Sequence, residues 1–365
     1  MTSRERLLIA LDNGKPDRLP CQVHGWTKYY LDTYLGGIDE YEAYKRFGMD
    51  SVIYSGPGWK PSKKALANWQ VDRKYLGLDD SGNRLWVETI VTPGGILIRK
   101  GASNAMTEWE TEVFIKTKDD FELFKKYYPF PEHVDFTPVI EAHDKIGDDG
   151  IVRCGLCGYG QAGAWQSFCF LVGTEAAIMY AIDEPDWVHY VEHTLVEKQL
   201  PIIEKMKGMP ADLIETGGGA GSNTVISPSM HKEFCTHYDR ILHDAIHSIG
   251  FKIVYHLCGG MMKQLDTVVA NTADAFETMT PPGMGGDCDL AEANRLVGDK
   301  ISFIGGFDQS AGFERGTVEE TRQQVFKLHA ACPNGGYICS PSDHFFNGKT
   351  ENIQAFVDAA KECVY

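Results

Sequence analysis

The strongest constraint on the fold is a recurrence. Eight short apolar runs are spread along the chain: "LPCQV" (19–23), "DSVIYS" (50–55), "IVRCGL" (151–156), "DLIET" (212–216), "FKIVYHL" (251–257), "ADAFETM" (273–279), "ISFIGGF" (301–307) and "GYICS" (336–340). Most are β-rich and too short for helices, as expected of parallel strands buried on both faces. Amphipathic stretches fall between them. In 227–250, Ser227 is placed as N-cap, Pro228 at the first helical position and Gly250 at the end. In 317–332, Thr317 and Glu320 have the spacing of a capping box. Segments 289–300 and 350–365 read the same way. Strand–helix alternation implies a parallel α/β fold, and eight strands favour a (β/α)8 TIM barrel. The opening "MTSRERLLIALDNG" adds an N-terminal helical extension. The whole span 1–365 fits one barrel domain, since barrels often exceed 250 residues.

One segment interrupts the pattern. Residues 84–116 read as extended pieces around a turn at Pro93-Gly94-Gly95, a β-hairpin inserted between the second and third strands.

A hydrophobic fraction of 43% supports a large core, and a formal charge of −16 argues against nucleic acid or an anionic membrane as the main partner. No apolar run has the length of a membrane span, and the charged N-terminus does not resemble a signal peptide. Ten scattered cysteines do not form a small disulfide framework. The expectation is a cytoplasmic protein acting on a small molecule, with self-association possible.

Barrel chemistry sits at the C-terminal ends of the strands. There the chain places Glu215, His256, Cys258, Glu277 and Cys339, with Asp343 and His344 just beyond. Imidazole, thiolate and carboxylate together form a reasonable zinc set. His-x-Cys alone also fits the buried end of a strand, because cysteine is often a core residue. After the first strand, "HGWTKYYLDTYL" supplies His24 and Trp26, which with Tyr54 and Trp59 could wall an aromatic pocket. Cys154-x-x-Cys157 reads as small residues in a strand-to-loop turn rather than a redox pair. "GGGAGSN" (217–223) lacks the phosphate-loop pattern and reads as a loop giving a ligand close approach above Glu215. His231, His237, His243 and His247 lie on one helix and read as packed or solvent-facing.

The segments 211–260, "DLAEANRLVGDKISFIGGFDQ" and "GGYICSPSDHFFNGKTENIQAFVDAA" resemble the uroporphyrinogen decarboxylase superfamily, as do "RERLLIALDNGKPDRLP" and "EPDWVHYVEHTLVEK". The resemblance implies a (β/α)8 barrel with its site at the C-terminal rim. True decarboxylases of this family carry an arginine-rich "RQAGRY"-like N-terminal motif, which "PCQVHGWTKYYLDTYLGG" lacks. The chain is more similar to the cobalamin-dependent methyltransferase branch, whose members bind zinc through His-x-Cys, often a Glu, and a last Cys. That similarity implies zinc on His256, Cys258 and Glu277, completed by Cys339 or Asp343. The family's last Cys follows the Pro after strand eight, and Asp343 stands there in this chain.

The "HGWTKYY" segment most resembles the methyltransferases that demethylate methoxylated aromatics in anaerobes. The resemblance therefore implies methyl transfer from an aryl methyl ether to the Co(I) of a separate corrinoid protein. No "D-x-H-x-x-G" cobalamin motif occurs in the chain, so the partner would bring the corrinoid. In that scheme His256, Glu277 and Glu215 act in catalysis, and His24, Trp26, Tyr54, Asp343 and His344 bind substrate. The alternatives are a thiol or amine methyl donor, a metal-free decarboxylase marked by basic residues such as Arg153, and a non-enzymatic binding subunit.

Overall fold

The computed structural model describes residues 1–365. Its strands are, in order, β1 (Ser51–Tyr54), β2 (Gly58–Lys60), β3 (Gln70–Leu78), β4 (Arg84–Thr92), β5 (Gly95–Ser103), β6 (Glu108–Glu112), β7 (His133–Asp135), β8 (Gly150–Gly155), β9 (Leu213–Gly217), β10 (Lys252–His256), β11 (Ala275–Thr278), β12 (Ser302–Phe307) and β13 (Tyr337–Pro341). A curled parallel sheet of seven strands runs β1-β8-β9-β10-β11-β12-β13. Helices separate its successive strands, giving a TIM-barrel-like α/β architecture. No helix is long and apolar enough to cross a membrane.

Seven of the eight expected strands are regular elements of this sheet. The first, 19–23, is not a full strand, but it spans the gap between the sheet's edges. Cys339 N–H donates to the Pro20 carbonyl (2.9 Å), Gln22 N–H to Cys339 (3.0 Å), and Asp50 N–H to Cys21 (3.0 Å). The Asp50 carboxylate accepts from Cys21 N–H at 3.0 Å and from Arg6 at 2.7 Å. Pro20 has no N–H, so the segment cannot build a continuous ladder.

The insertion is larger than the hairpin read from the sequence. β4 and β5 form that hairpin, with the Thr92 hydroxyl accepting from Gly95 N–H at 3.1 Å. β3 and β6 flank it, making a four-stranded antiparallel sheet from Gln70 to Glu112. Trp69, Ile90, Leu97 and Phe114 pack this sheet onto Phe121, Phe124, Trp165 and Phe168 of the helices beneath.

The barrel interior is layered. Val52, Ile151, Leu213, Val254, Ala275, Ile304 and Ile338 cluster with Leu7, Ala10 and Leu11 of the first helix, Ser3–Leu11. That helix is held by a Thr2/Glu5 capping box and by Arg4, which donates to Asp212 (Nη1–Oδ2 2.9 Å). Side chains alternate along a strand, so the next inward layer lies two residues further on. It comprises Tyr54, Arg153, Glu215, His256, Glu277, Gly306 and Ser340, polar but for one glycine. An apolar floor therefore carries a polar ring on its C-terminal side.

On the outer side, the helix Pro185–Glu204 buries Glu192, and the helix His237–Ser248 buries Asp239. Burial pushes the Glu192 carboxyl well up and that of Asp239 up to about 7. The unfolded chain's carboxyls titrate near about pH 4, so between about 4 and 7 the folded protein holds the extra proton. The associated stability is complete below about pH 4 and is lost as the pH rises through about 7. Asp239→Asn should flatten the decline in melting temperature between about pH 5 and 8, followed by circular dichroism. An unchanged slope would mean that Asp239 is ionised in the fold.

Candidate active site

Five members of the polar ring, Tyr54, Arg153, Glu215, His256 and Glu277, form one connected network centred on Arg153, whose side chain has no solvent exposure. Its Nη1 donates to Glu277 Oε2 at 2.7 Å, and Nη2 donates to Glu277 Oε1. Its Nε and Nη2 also reach Glu215 Oε2 at 3.1 and 2.8 Å. The guanidinium stacks on the Tyr54 ring at 4.6 Å, and the Tyr54 hydroxyl donates to Glu215 Oε2 at 2.6 Å. His256 Nδ1 lies 2.8 Å from Glu277 Oε1, and His24 Nδ1 lies 3.6 Å from the same oxygen.

These contacts fix the charges. Burial alone would neutralise Glu277 and Glu215, but Arg153 outweighs it and holds both below the usual carboxylate range. Burial also opposes charge on His256. Hydrogen bonds to Cys258 and Glu277, with the fields of Glu277 and Glu215, outweigh it and raise the imidazole well above its ordinary value. Burial lowers His344.

Above the ring lies a cavity of ≈ 340 Å³. His24, Trp26, Tyr54, Glu215, His256, Cys258, Asp343 and His344 all line it, together with Glu40 and Gln161. The structure thus brings together around one cavity predicted residues from five strand ends and the loops that follow them. No lysine or arginine lines the cavity. Trp26 contributes an edge only: it stacks on Phe47 (5.6 Å between centroids) and is mostly core.

Local sequence explains how the rim closes. Gly219 packs against Cys258, where a Cβ would sit 2.9 Å from its Sγ. Gly25 does the same for His344, at 2.9 Å from Cε1. The glycine-rich loop after β9 is therefore a packing surface for the cysteine. The 341–344 turn is held by Gln309, which accepts from Ser342 N–H (3.1 Å) and donates to the Asp343 carbonyl (3.2 Å).

Three sets of side chains have ligand atoms within 4.8 Å of one another: His256, Cys258 and Asp343; His24, His256 and Glu277; and His24, Asp343 and His344. Cys339 is in none of them. Ile338 belongs to the interior floor, so strand alternation turns Cys339 outward. It is fully buried there in the core beneath the helices, with Cys21, Cys332 and Cys363, and burial raises its thiol far above the ordinary value. Of the two residues weighed for the last place, Asp343 lies close to His256 and Cys258, whereas Cys339 does not. Glu277 reaches a set, but both of its oxygens already accept from Arg153.

Cys154 and Cys157 are buried free thiols, both pushed up to about 12 by burial. His231 and His243 pack outside the barrel, with His243 Nδ1 at 2.6 Å from the Asn271 carbonyl. In the sequence Arg153 stands out only as a basic residue at the mouth. Its signal was a lone charge inside an apolar strand, a position tolerated only with buried partners.

The sequence profile described as uroporphyrinogen decarboxylase (URO-D) matches residues 107–363. The chain belongs to the uroporphyrinogen decarboxylase family. It is 27% identical over 201 residues to a uroporphyrinogen decarboxylase from Photobacterium profundum. That match covers 51% of this chain and spans about half, 50%, of the relative's own length. Among solved structures, a methyltransferase from Methanosarcina mazei superposes with a TM-score of 0.66 at 14% identity, covering 99% of each chain. This likeness shows that the fold extends over the whole chain.

Because Tyr54 donates to a part-buried ionised carboxylate, Tyr54→Phe should cost about 1.5–3 kcal/mol in urea unfolding at almost unchanged volume. A stability equal to the parent's would mean that the Tyr54–Glu215 contact contributes nothing.

Proposed function

We propose that the protein is a metal-dependent methyltransferase that moves a methyl group from an aryl methyl ether to the Co(I) of a separate corrinoid protein. The observation that carries this reading is the convergence of His256, Cys258 and Asp343 beside the ≈ 340 Å³ cavity at the C-terminal mouth of the sheet. One nitrogen, one sulfur and one carboxylate oxygen form a donor set suited to zinc, with His24 or His344 near enough to contribute. Bound there, Zn²⁺ would act as a Lewis acid on the ether oxygen as the C–O bond breaks. A site with one thiolate and one carboxylate is harder than a thiolate-rich one, which suits an oxygen leaving group better than a thiol.

The chain's own groups account for the rest. The cavity is large enough for a single substituted ring. All three Arg153 and Tyr54 contacts to Glu215 fall on Oε2, which leaves Oε1 at the cavity wall without a protein donor. Glu215 would use it to orient the donor molecule. His24 lies between His256 and His344, with centroids 5.0 and 4.7 Å away, and would deliver a proton to the departing phenolate. The methyl carbon leaves oxygen and bonds to cobalt, which is oxidised from Co(I) to methyl-Co(III). The corrinoid is the partner's, docking over the open mouth.

A decarboxylase gripping substrate carboxylates is less well supported. The cavity presents Glu40, Glu215 and Asp343 and no cation, and Arg153 is committed beneath it.

The test is metal analysis of the purified protein, then incubation with methoxylated aromatics and reduced corrinoid protein. Stoichiometric zinc and an absorbance change from Co(I) to methyl-Co(III) are expected. Cys258→Ala and Asp343→Asn should each lose metal, whereas Cys339→Ala should retain it. Methyl transfer from a thiol or amine but from no ether would sink the ether assignment. Loss of metal in Cys339→Ala would return that residue to the ligand set.

A further inference from the structure

Glu277 and His256 end neighbouring strands, paired in register, and both side chains point inward. A carboxylate in that place could serve as a metal ligand, or it could orient the imidazole that does. The contacts on its oxygens decide between these roles. Arg153 takes Oε1 and Oε2 together in a forked pair, and His256 Nδ1 shares Oε1. For Glu277 to swing onto a metal, the Arg153 guanidinium would have to give up its bidentate partner at a position with no solvent access. Glu215 could not replace that pair, because it offers Arg153 only Oε2, which Tyr54 already uses.

We propose that Arg153 is a positioning residue: it holds Glu277 on Nδ1 of His256, so that Glu277 orients this histidine instead of ligating the metal. Nε2 is then the histidine nitrogen left for the metal. A carboxylate on the far nitrogen of a metal-binding imidazole fixes its ring orientation and raises its basicity. The ligands proper are His256, Cys258 and Asp343, with one further imidazole from His24 or His344. This inference rests on the metal-site reading above.

The experiment uses the full-length protein loaded with Co²⁺, whose visible ligand-field bands report the ligand set, together with chelator competition for affinity. Glu277→Gln should leave the bands where they are and weaken binding about 10- to 100-fold, the usual effect of losing an orienting partner. Arg153→Met frees Glu277, so the bands should shift as a carboxylate joins the metal. Arg153→Lys, which keeps a cation in place, should restore the parent spectrum. A shift of the bands in Glu277→Gln would overturn the proposal by making Glu277 a ligand. So would a folded Arg153→Met protein with the parent's spectrum and affinity. Should Arg153→Met not fold, the Glu277→Gln spectrum decides alone. A parent protein that binds neither Co²⁺ nor Zn²⁺ is a separate outcome, and it overturns the metal reading and this inference with it.

Discussion

The site is organised around a single charge that cannot be hydrated. Arg153 lies inside the barrel with no exposed side-chain surface, and it stays there because Glu215 and Glu277 meet it from β9 and β11. Taking three charged groups out of water is costly, and the network offsets that cost only where almost every donor is used. Nε, Nη1 and Nη2 all have carboxylate acceptors, and the ring face of Tyr54 covers the guanidinium. Five strands, β1 and β8 to β11, are tied through their inward side chains into one arrangement. A register slip of one residue would turn those side chains outward into the helix layer. The network therefore specifies the strand alignment as well as the electrostatics of the cavity floor.

The same alternation governs what the sequence could reveal. Strand positions were legible because both faces are buried, and β1 and β8 to β13 fall where the apolar runs are. Orientation was legible too, but only by counting along each strand. The apolar floor residue Ile338 predicts an outward Cys339 and an inward Ser340, which sets the cysteine aside and shifts attention to the turn carrying Asp343. The first strand was over-read because Pro20 limits its ladder. The insertion was under-read because β3 is almost wholly exposed and mixes charged with apolar residues, so it lacks the alternation of a half-buried strand. Two features were out of reach. Nothing local to "IVRCG" says which carboxylates meet Arg153, and nothing local to "GGGAG" says that Gly219 makes room for Cys258 from another strand end.

Family membership accounts for the scaffold and leaves the chemistry open, since one fold hosts many reactions. The balance of charge in and under the cavity bears on that chemistry. The ring's one arginine is sealed under the cavity between two carboxylates, and the lining offers carboxylates, imidazoles and a thiol. A substrate with several carboxylates would meet like charge and find no cation to pair with. A neutral ring carrying an ether, the proposed substrate, has no such conflict, and its leaving oxygen would suit a metal held by one sulfur and harder donors. The acidic floor also bears on the histidine. In the proposed arrangement Glu277, held by Arg153, commits Nδ1 of His256 and would leave Nε2 for the metal. In that proposed arrangement the arginine that at first suggests carboxylate recognition would act on the metal site, through a glutamate, without touching the substrate at all.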